Sequence, residues 1–185
     1  MSRRAGLRGG CGLQLPNPCL VVLVGAAGSG KSTLAARLFE PGAVLSSDSY
    51  RAIVSGDAAD QRATRTAFAI LHRELDRRMA DRRTTVVDAT SVTAFARRGL
   101  VRRAATHRIP AVALVLDLGP MLVLAQNATR PGRIVPASAV ERQLADLERS
   151  LRSGSLYAEG FEAVHILRTR AELDEISIAW SAPEP

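Results

Sequence analysis

Nine consecutive residues, Gly25-Ala26-Ala27-Gly28-Ser29-Gly30-Lys31-Ser32-Thr33, carry the pattern G-x-x-x-x-G-K-[ST]. Each residue type in it has a physical task. Glycines let the backbone curl so that successive N–H groups point inward at a phosphate chain. A helix beginning near Ser32 adds the positive end of its dipole. Lys31 is a compact ammonium that can reach the β- and γ-phosphates, and the Ser32 hydroxyl is the expected Mg²⁺ ligand. The alternative is a Gly/Ser-rich turn without a ligand. A hydrophobic run before the motif and a helical pattern after it are the context that favours a P-loop binding a nucleoside triphosphate.

Lys31 is also the only lysine: the other 24 of the 25 basic residues are arginine. Arginine's broad planar fork would fit this turn badly. Because that lysine is already used, the GTPase base-reading motif N-K-x-D cannot be present.

Further candidates concern the group that accepts the phosphate. In Val44-Leu45-Ser46-Ser47-Asp48-Ser49-Tyr50-Arg51, Asp48 sits where a strand gives way to a short helix. Arg51, three residues on, shares its helical face. A carboxylate there can take the proton of an incoming hydroxyl, and an arginine beside it can hold that acceptor by a phosphate. The plainer reading is an Asp at a helix start with a solvated Arg. Asp88 closes the apolar run Thr85-Val86-Val87, the Walker B pattern that holds Mg²⁺ directly or through water; a capping carboxylate is the alternative. In Asn127-Ala128-Thr129-Arg130-Pro131-Gly132-Arg133, a Pro-Gly turn is flanked by two arginines. A loop of that kind can close over a triphosphate and neutralise charge in the transition state, with Arg130 the stronger candidate and Arg133 equally readable as a solvated loop residue.

Elements must bring these residues together. Apolar runs predict strands at Leu20–Val24, Ala43–Leu45, Thr85–Val87, Ala111–Leu116 and Ala163–Leu167. Their near-continuous Val, Leu and Ile content fits strands buried on both faces of a parallel sheet. Helical patterns fall between them, at Ser32–Phe39, about Asp60–Arg82, Ala94–His107, Met121–Asn127 and Ser138–Leu151. The alternation predicts an α/β fold, a doubly wound and mainly parallel sheet with flanking helices and a helical lid. Ligands then bind beyond the carboxyl ends of the strands. Residues 1–18 read as a disordered basic tail, 19–170 as one P-loop kinase-like domain with its lid at about 127–152, and 171–185 as a C-terminal tail.

Composition narrows the classes. No apolar run reaches the roughly 18 residues of a membrane span, so no membrane partner is expected. Cys11 and Cys19 match no zinc or redox spacing, and a reduced, cytoplasmic setting is expected. The formal net charge is +7. The tail through Pro18 supplies three of those charges, which leaves a modest surplus on the body.

The whole set resembles the kinase module of bacterial polynucleotide kinase-phosphatase. The resemblance rests on Gly25–Thr33, Val44–Asp48 with Arg51, Asp60-Gln61, Thr85–Thr90, the Arg130 loop and Glu159-Gly160-Phe161, over roughly residues 19–168. It implies a phosphotransferase that uses ATP and Mg²⁺ and moves the γ-phosphate to the 5′-hydroxyl of DNA or RNA. It further implies Lys31 and Ser32 on ATP and Mg²⁺, Asp48 as general base, Arg51 on the acceptor's phosphate and Arg130 on the ATP phosphates. Two positions depart from that family: Gln126 stands where a second lid arginine is common, and Ser91 where Asn is frequent. The phosphatase and nucleotidyltransferase modules of longer relatives have no room in 185 residues, so separate phosphatase or ligase proteins would act on other ends. A kinase of a small hydroxylated molecule such as a nucleoside, sugar or antibiotic, or a nucleotide-binding module with weak transfer, stays open beside it.

Other features read more plainly. Arg97, Arg98, Arg102, Arg103 and Arg108 form either a polynucleotide track or, the favoured reading, the outer face of a crossover helix. With 4% aromatic residues, no base-stacking platform is expected. His72, His107 and His165 have no metal-like spacing, and Ile176, Ile178 and Trp180 are expected to dock the C-terminal tail onto the body.

Overall fold

The computed structural model describes residues 3–4, 12–56, 63–131 and 133–181. In chain order the elements are β1 (Arg3–Arg4), β2 (Gly12–Leu15), β3 (Leu20–Val24), α1 (Lys31–Leu38), β4 (Val44–Ser46), α2 (Ser47–Ser55), α3 (Thr64–Ala80) and β5 (Thr85–Asp88). They continue with α4 (Ala94–Thr106), β6 (Ala111–Leu116), α5 (Pro120–Ala128), α6 (Ala137–Arg152), β7 (Ala163–Leu167), α7 (Arg170–Glu175) and β8 (Ser177–Trp180). Six strands form one sheet in the order β1-β7-β6-β3-β5-β4, and every described pairing in it is parallel.

Burial on both faces explains the continuous apolar runs. Along β3, Val21 and Leu23 enter one core cluster while Leu20, Val22 and Val24 enter the other. The first cluster is closed by Leu34 of α1, Val123 of α5 and Leu173 of α7. The second is closed by Leu71, Leu75 and Met79 of α3 and by Leu100 and Ala104 of α4. Helices therefore cover both faces, as the doubly wound α/β reading requires. Helix α6 places Val140 in the first cluster and Leu147 in the second, so it passes from one layer to the other.

Three expectations are corrected or extended. Gly12–Leu15 are not part of a disordered tail: β2 pairs in parallel with β8, Leu13 opposite Ile178 and Leu15 opposite Trp180. Leu13 and Leu15 are fully buried, and their alternation was too short to stand out before the partner strand was known. Ile176 is buried at the same seam, and Phe39 meets Trp180 edge-on with ring centroids 6.4 Å apart. Arg37 ties the seam to α1 by donating to the carbonyls of Ile176 (2.9 Å) and Leu173. Helix α7 was not expected, although Thr169 and Glu172 form a full capping box at its start.

Arg97 belongs neither to an outer face nor to a track. It is fully buried, and its guanidinium donates to both carboxylate oxygens of Glu159 at 2.6 and 2.7 Å. It also donates to the carbonyls of Ser91 and Val92 and to Ser150 Oγ. The start expected for the long helix, with Asp60 and Gln61, lies outside the described residues, as do Arg8, Cys11 and Gly132. No helix among the described residues is long and apolar enough to cross a membrane.

Candidate active site

The loop between β3 and α1 is built by glycines that cannot be replaced cheaply. Gly28 and Gly30 hold φ values of 87° and 90°, the left-handed region that L side chains avoid. At Gly28 a Cβ would also come within 2.6 Å of the Val123 carbonyl and 2.9 Å of the Asn127 nitrogen, because the end of α5 packs directly on the loop. Among the described residues the N–H groups of Gly28, Gly30, Lys31 and Ser32 have no backbone acceptor. They are free for phosphate oxygens, and α1 adds its own unsatisfied first turn.

Lys31 is buried beneath them. Its Nζ donates to the Ala26 carbonyl at 2.8 Å and lies 3.5 Å from Ser29 Oγ. Loss of hydration pulls its pKa down to about 8; Asp88 opposes this, Arg130 adds to it and Asp48 opposes it.

The carboxylates reach the same place by register. Ser46 of β4 pairs with Asp88 of β5, which sets the carboxyl ends of the two strands side by side. Ser46 caps α2 by accepting from the Ser49 N–H, and Asp48 lies in the first turn. Three guanidiniums converge on Asp48. Arg51 bonds Oδ1 from one turn on, Arg133 Nη1 bonds Oδ1 at 2.7 Å, and Arg130 Nη2 is 3.5 Å from Oδ2. Asp48 and Arg51 thus share a helical face, and both arginines of the loop reach across to the same carboxylate.

Asp88 is 7% exposed, and its carboxylate makes no hydrogen bond or ion pair among the described residues. A nearly buried carboxylate without a protein partner, beside the exposed Ser32 hydroxyl, suits a hard cation that keeps several waters. The donors are oxygen only, and no group of three or more His, Cys, Asp or Glu that could cage a metal occurs among the described residues. The set fits Mg²⁺ shared with phosphates.

Two recesses flank the P-loop. One is a cleft of about 1040 Å³ lined by Lys31, Ser32, Asp48, Arg51, Asp88, Arg130 and Arg133, which continues along α3 and α4. The other, about 300 Å³, is lined by Gly28, Gly30, Thr33, Gln126, Thr129 and Arg170. Lys31, Ser32 and Arg130 line both.

Several residues here escaped sequence reasoning. Gln143 of α6 accepts the Ala27 N–H through Oε1 at 2.8 Å, pinning the P-loop to that helix. Asn127 clasps the two ends of the arginine loop, its Nδ2 donating to the Val135 carbonyl and its Oδ1 accepting the Val135 N–H. Thr64 Oγ1 lines the large cleft with no hydrogen-bond partner among the described residues. No motif marks a lone amide on a helix, so these needed the fold. Ser91 has φ 46°, a conformation that Asn tolerates better than most side chains. That gives a backbone reason for the Asn common at this position in the family it resembles.

The sequence profile of the AAA domain family AAA_33 matches residues 20–152. The chain belongs to that family. No curated protein sequence matches it significantly. Among solved structures, this AAA domain is similar to a chain of the Pnkp1/Rnl/Hen1 RNA repair complex, with TM-score 0.64 and 22% identity, covering 75% of this chain and 47% of that one. The AAA domain thus spans about half the length of that relative. It is also similar to a sugar kinase from Janibacter sp. (TM-score 0.58, 21% identity, 85% of this chain and 91% of that one). A third likeness is to a putative kinase from Chloroflexus aurantiacus (TM-score 0.56, 17% identity, 84% and 91%). The fold is that of P-loop kinases.

Proposed function

We propose that this AAA domain protein is an ATP- and Mg²⁺-dependent kinase of polynucleotide 5′-hydroxyl ends. The observation that carries the reading is the pair of recesses meeting at Lys31, Ser32 and Arg130. A phosphoryl group must be held between a donor and an acceptor in line, and here the nucleotide side and the Asp48 side share those three residues. The donor triphosphate lies on the P-loop N–H groups and Lys31. The acceptor hydroxyl approaches Asp48, whose carboxylate takes its proton as the oxygen bonds to the γ-phosphorus and the bond to the β-phosphate oxygen breaks. Arg51, buried against Asp48, holds the acceptor's own phosphate, while Arg130 and Arg133 turn from Asp48 toward the transferring group. Ser32 and Asp88 would hold Mg²⁺, which would supply charge neutralisation at the phosphates.

A polynucleotide acceptor is favoured by the cleft's charge and extent. Seven cations line it, Lys31, Arg51, Arg102, Arg103, Arg130, Arg133 and Arg142, against the carboxylates of Asp48 and Asp88. Labelled ATP and a 5′-hydroxyl oligonucleotide test the reading. The expected result is end-labelling that Asp48→Asn lowers by about 10²–10⁴ while ATP binding is kept. ATP binding without any labelled oligonucleotide would overturn it, and label on a sugar or nucleoside in a metabolite mixture would point to the small-molecule kinase instead.

A further inference from the structure

The large cleft does not end at Asp48. One face of α4, comprising Phe95, Gly99, Arg102 and Thr106 at helical spacing, lines it outward from the site, opposite Phe68 and His72 of α3. The other face of α4 is core, with Arg97, Val101 and Ala104 buried. At 1.5 Å per residue, Phe95 and Arg102 stand roughly 10 Å apart along the helix, so the wall continues well past the reacting end.

Three properties of this face point to a ligand. Phe95 is 86% exposed, the most exposed large apolar side chain described. Gly99 sits in a helix interior, where glycine weakens the helix relative to alanine, yet a Cβ there would meet no protein atom within 4 Å. No packing inside the protein requires that glycine, and its absence of a side chain leaves a flat strip between Phe95 and Arg102. Arg102 is exposed and makes no ion pair among the described residues, whereas its neighbour Arg103 is tied to Asp76. A flat strip with a bare ring at one end and an uncommitted guanidinium at the other is complementary to stacked bases on an anionic backbone.

We infer that this face of α4 is a subsite for the 3′-ward continuation of a single-stranded polynucleotide acceptor. Arg102 takes a downstream phosphodiester, and Phe95 stacks on a base. The inference rests on the 5′-hydroxyl kinase reading and adds to it a preference for acceptor length. One aromatic ring suffices for one base, so the scarcity of aromatics in the chain does not oppose it.

The test compares kcat/KM for 5′-hydroxyl hexanucleotides, DNA and RNA in separate arms, with kcat/KM for nucleoside 3′-monophosphates. Wild-type protein is expected to prefer the hexanucleotide by tenfold or more in at least one arm. Arg102→Ala and Phe95→Ala should each reduce that preference about fivefold or more, and Arg102→Glu further still. The dependence of log kcat/KM on log salt for the hexanucleotide should become shallower by about 0.7 in Arg102→Ala, the value for one lost single-strand phosphate contact. Both side chains are exposed, and retained ATP binding reports that the variants are folded. Equal use of short and long acceptors by wild type, or a preference unmoved in all three variants, would overturn the subsite while leaving the kinase reading intact. Absence of transfer to every nucleic acid acceptor would overturn the kinase reading itself.

Discussion

A buried ammonium accompanied by a carbonyl and a hydroxyl loses much of its hydration, and Lys31 is in that position. Its pKa of about 8 places the change of charge just above neutrality in the free protein. A triphosphate favours the charged form, so binding should take up a proton where Lys31 is partly neutral. ATP affinity is then expected to fall roughly tenfold between pH 7 and pH 9, because the protonated fraction drops by about that factor. Titration calorimetry in two buffers of different ionisation enthalpy checks both the affinity and the proton uptake. A flat affinity over that range would show that Lys31 is charged throughout. Asp48 accepts hydrogen bonds from Arg51 and Arg133 and lies 3.5 Å from Arg130, so both loop arginines are held against one carboxylate.

At the scale of elements, the segment from α5 to α6 is held by few and specific bonds. Asn127 closes the base of the arginine loop, and Gln143 links α6 to the P-loop. The far end of α6 is anchored by the buried pair of Arg97 and Glu159, to which Ser150 also bonds. Arg97 joins α4, the segment after β5, α6 and the stretch before β7 at one point. Removing one member leaves an uncompensated buried charge, for which about 3–5 kcal/mol is typical. Arg97→Met is expected to destabilise the protein by that amount, and Arg97→Met with Glu159→Met to recover most of it, as read by urea unfolding. If the double variant were no more stable than the single one, the carbonyl bonds to Ser91 and Val92 would be the dominant contribution.

At the scale of the molecule, the parallel sheet carries the site at its carboxyl edge and two apolar clusters on its faces. His165 lies in β7 with neither ring nitrogen hydrogen-bonded among the described residues, and burial lowers its pKa from the ordinary 6.5. The unfolded chain then binds more protons than the folded one below pH 6.5, so stability is full above that value and is lost as the pH falls through it. The slope contributed is at most about 1.4 kcal/mol per pH unit. His165→Leu should flatten it, leaving the part due to half-buried His72, whose pKa burial and Arg103 also lower. Unfolding curves from pH 7.5 to 5 check this, and an unchanged slope in the variant would remove His165 as its source. Much of the architecture was legible in the chain itself. Near-continuous apolar runs located five strands of the large sheet, and the P-loop spacing located the phosphate site, because both are properties of local sequence. The pairing of Gly12–Leu15 with Ser177–Trp180 was not legible, since strands that short gain stability only from a partner far along the chain. The sequence by itself determined the P-loop, its single lysine and the α/β alternation. Only the tertiary structure decided that Arg97 is a core brace, that Gln143 pins the P-loop, and that the face of α4 bearing Arg102 opens onto the cleft of Asp48. Burial and convergence depend on which distant elements pack together, and no local spacing encodes them.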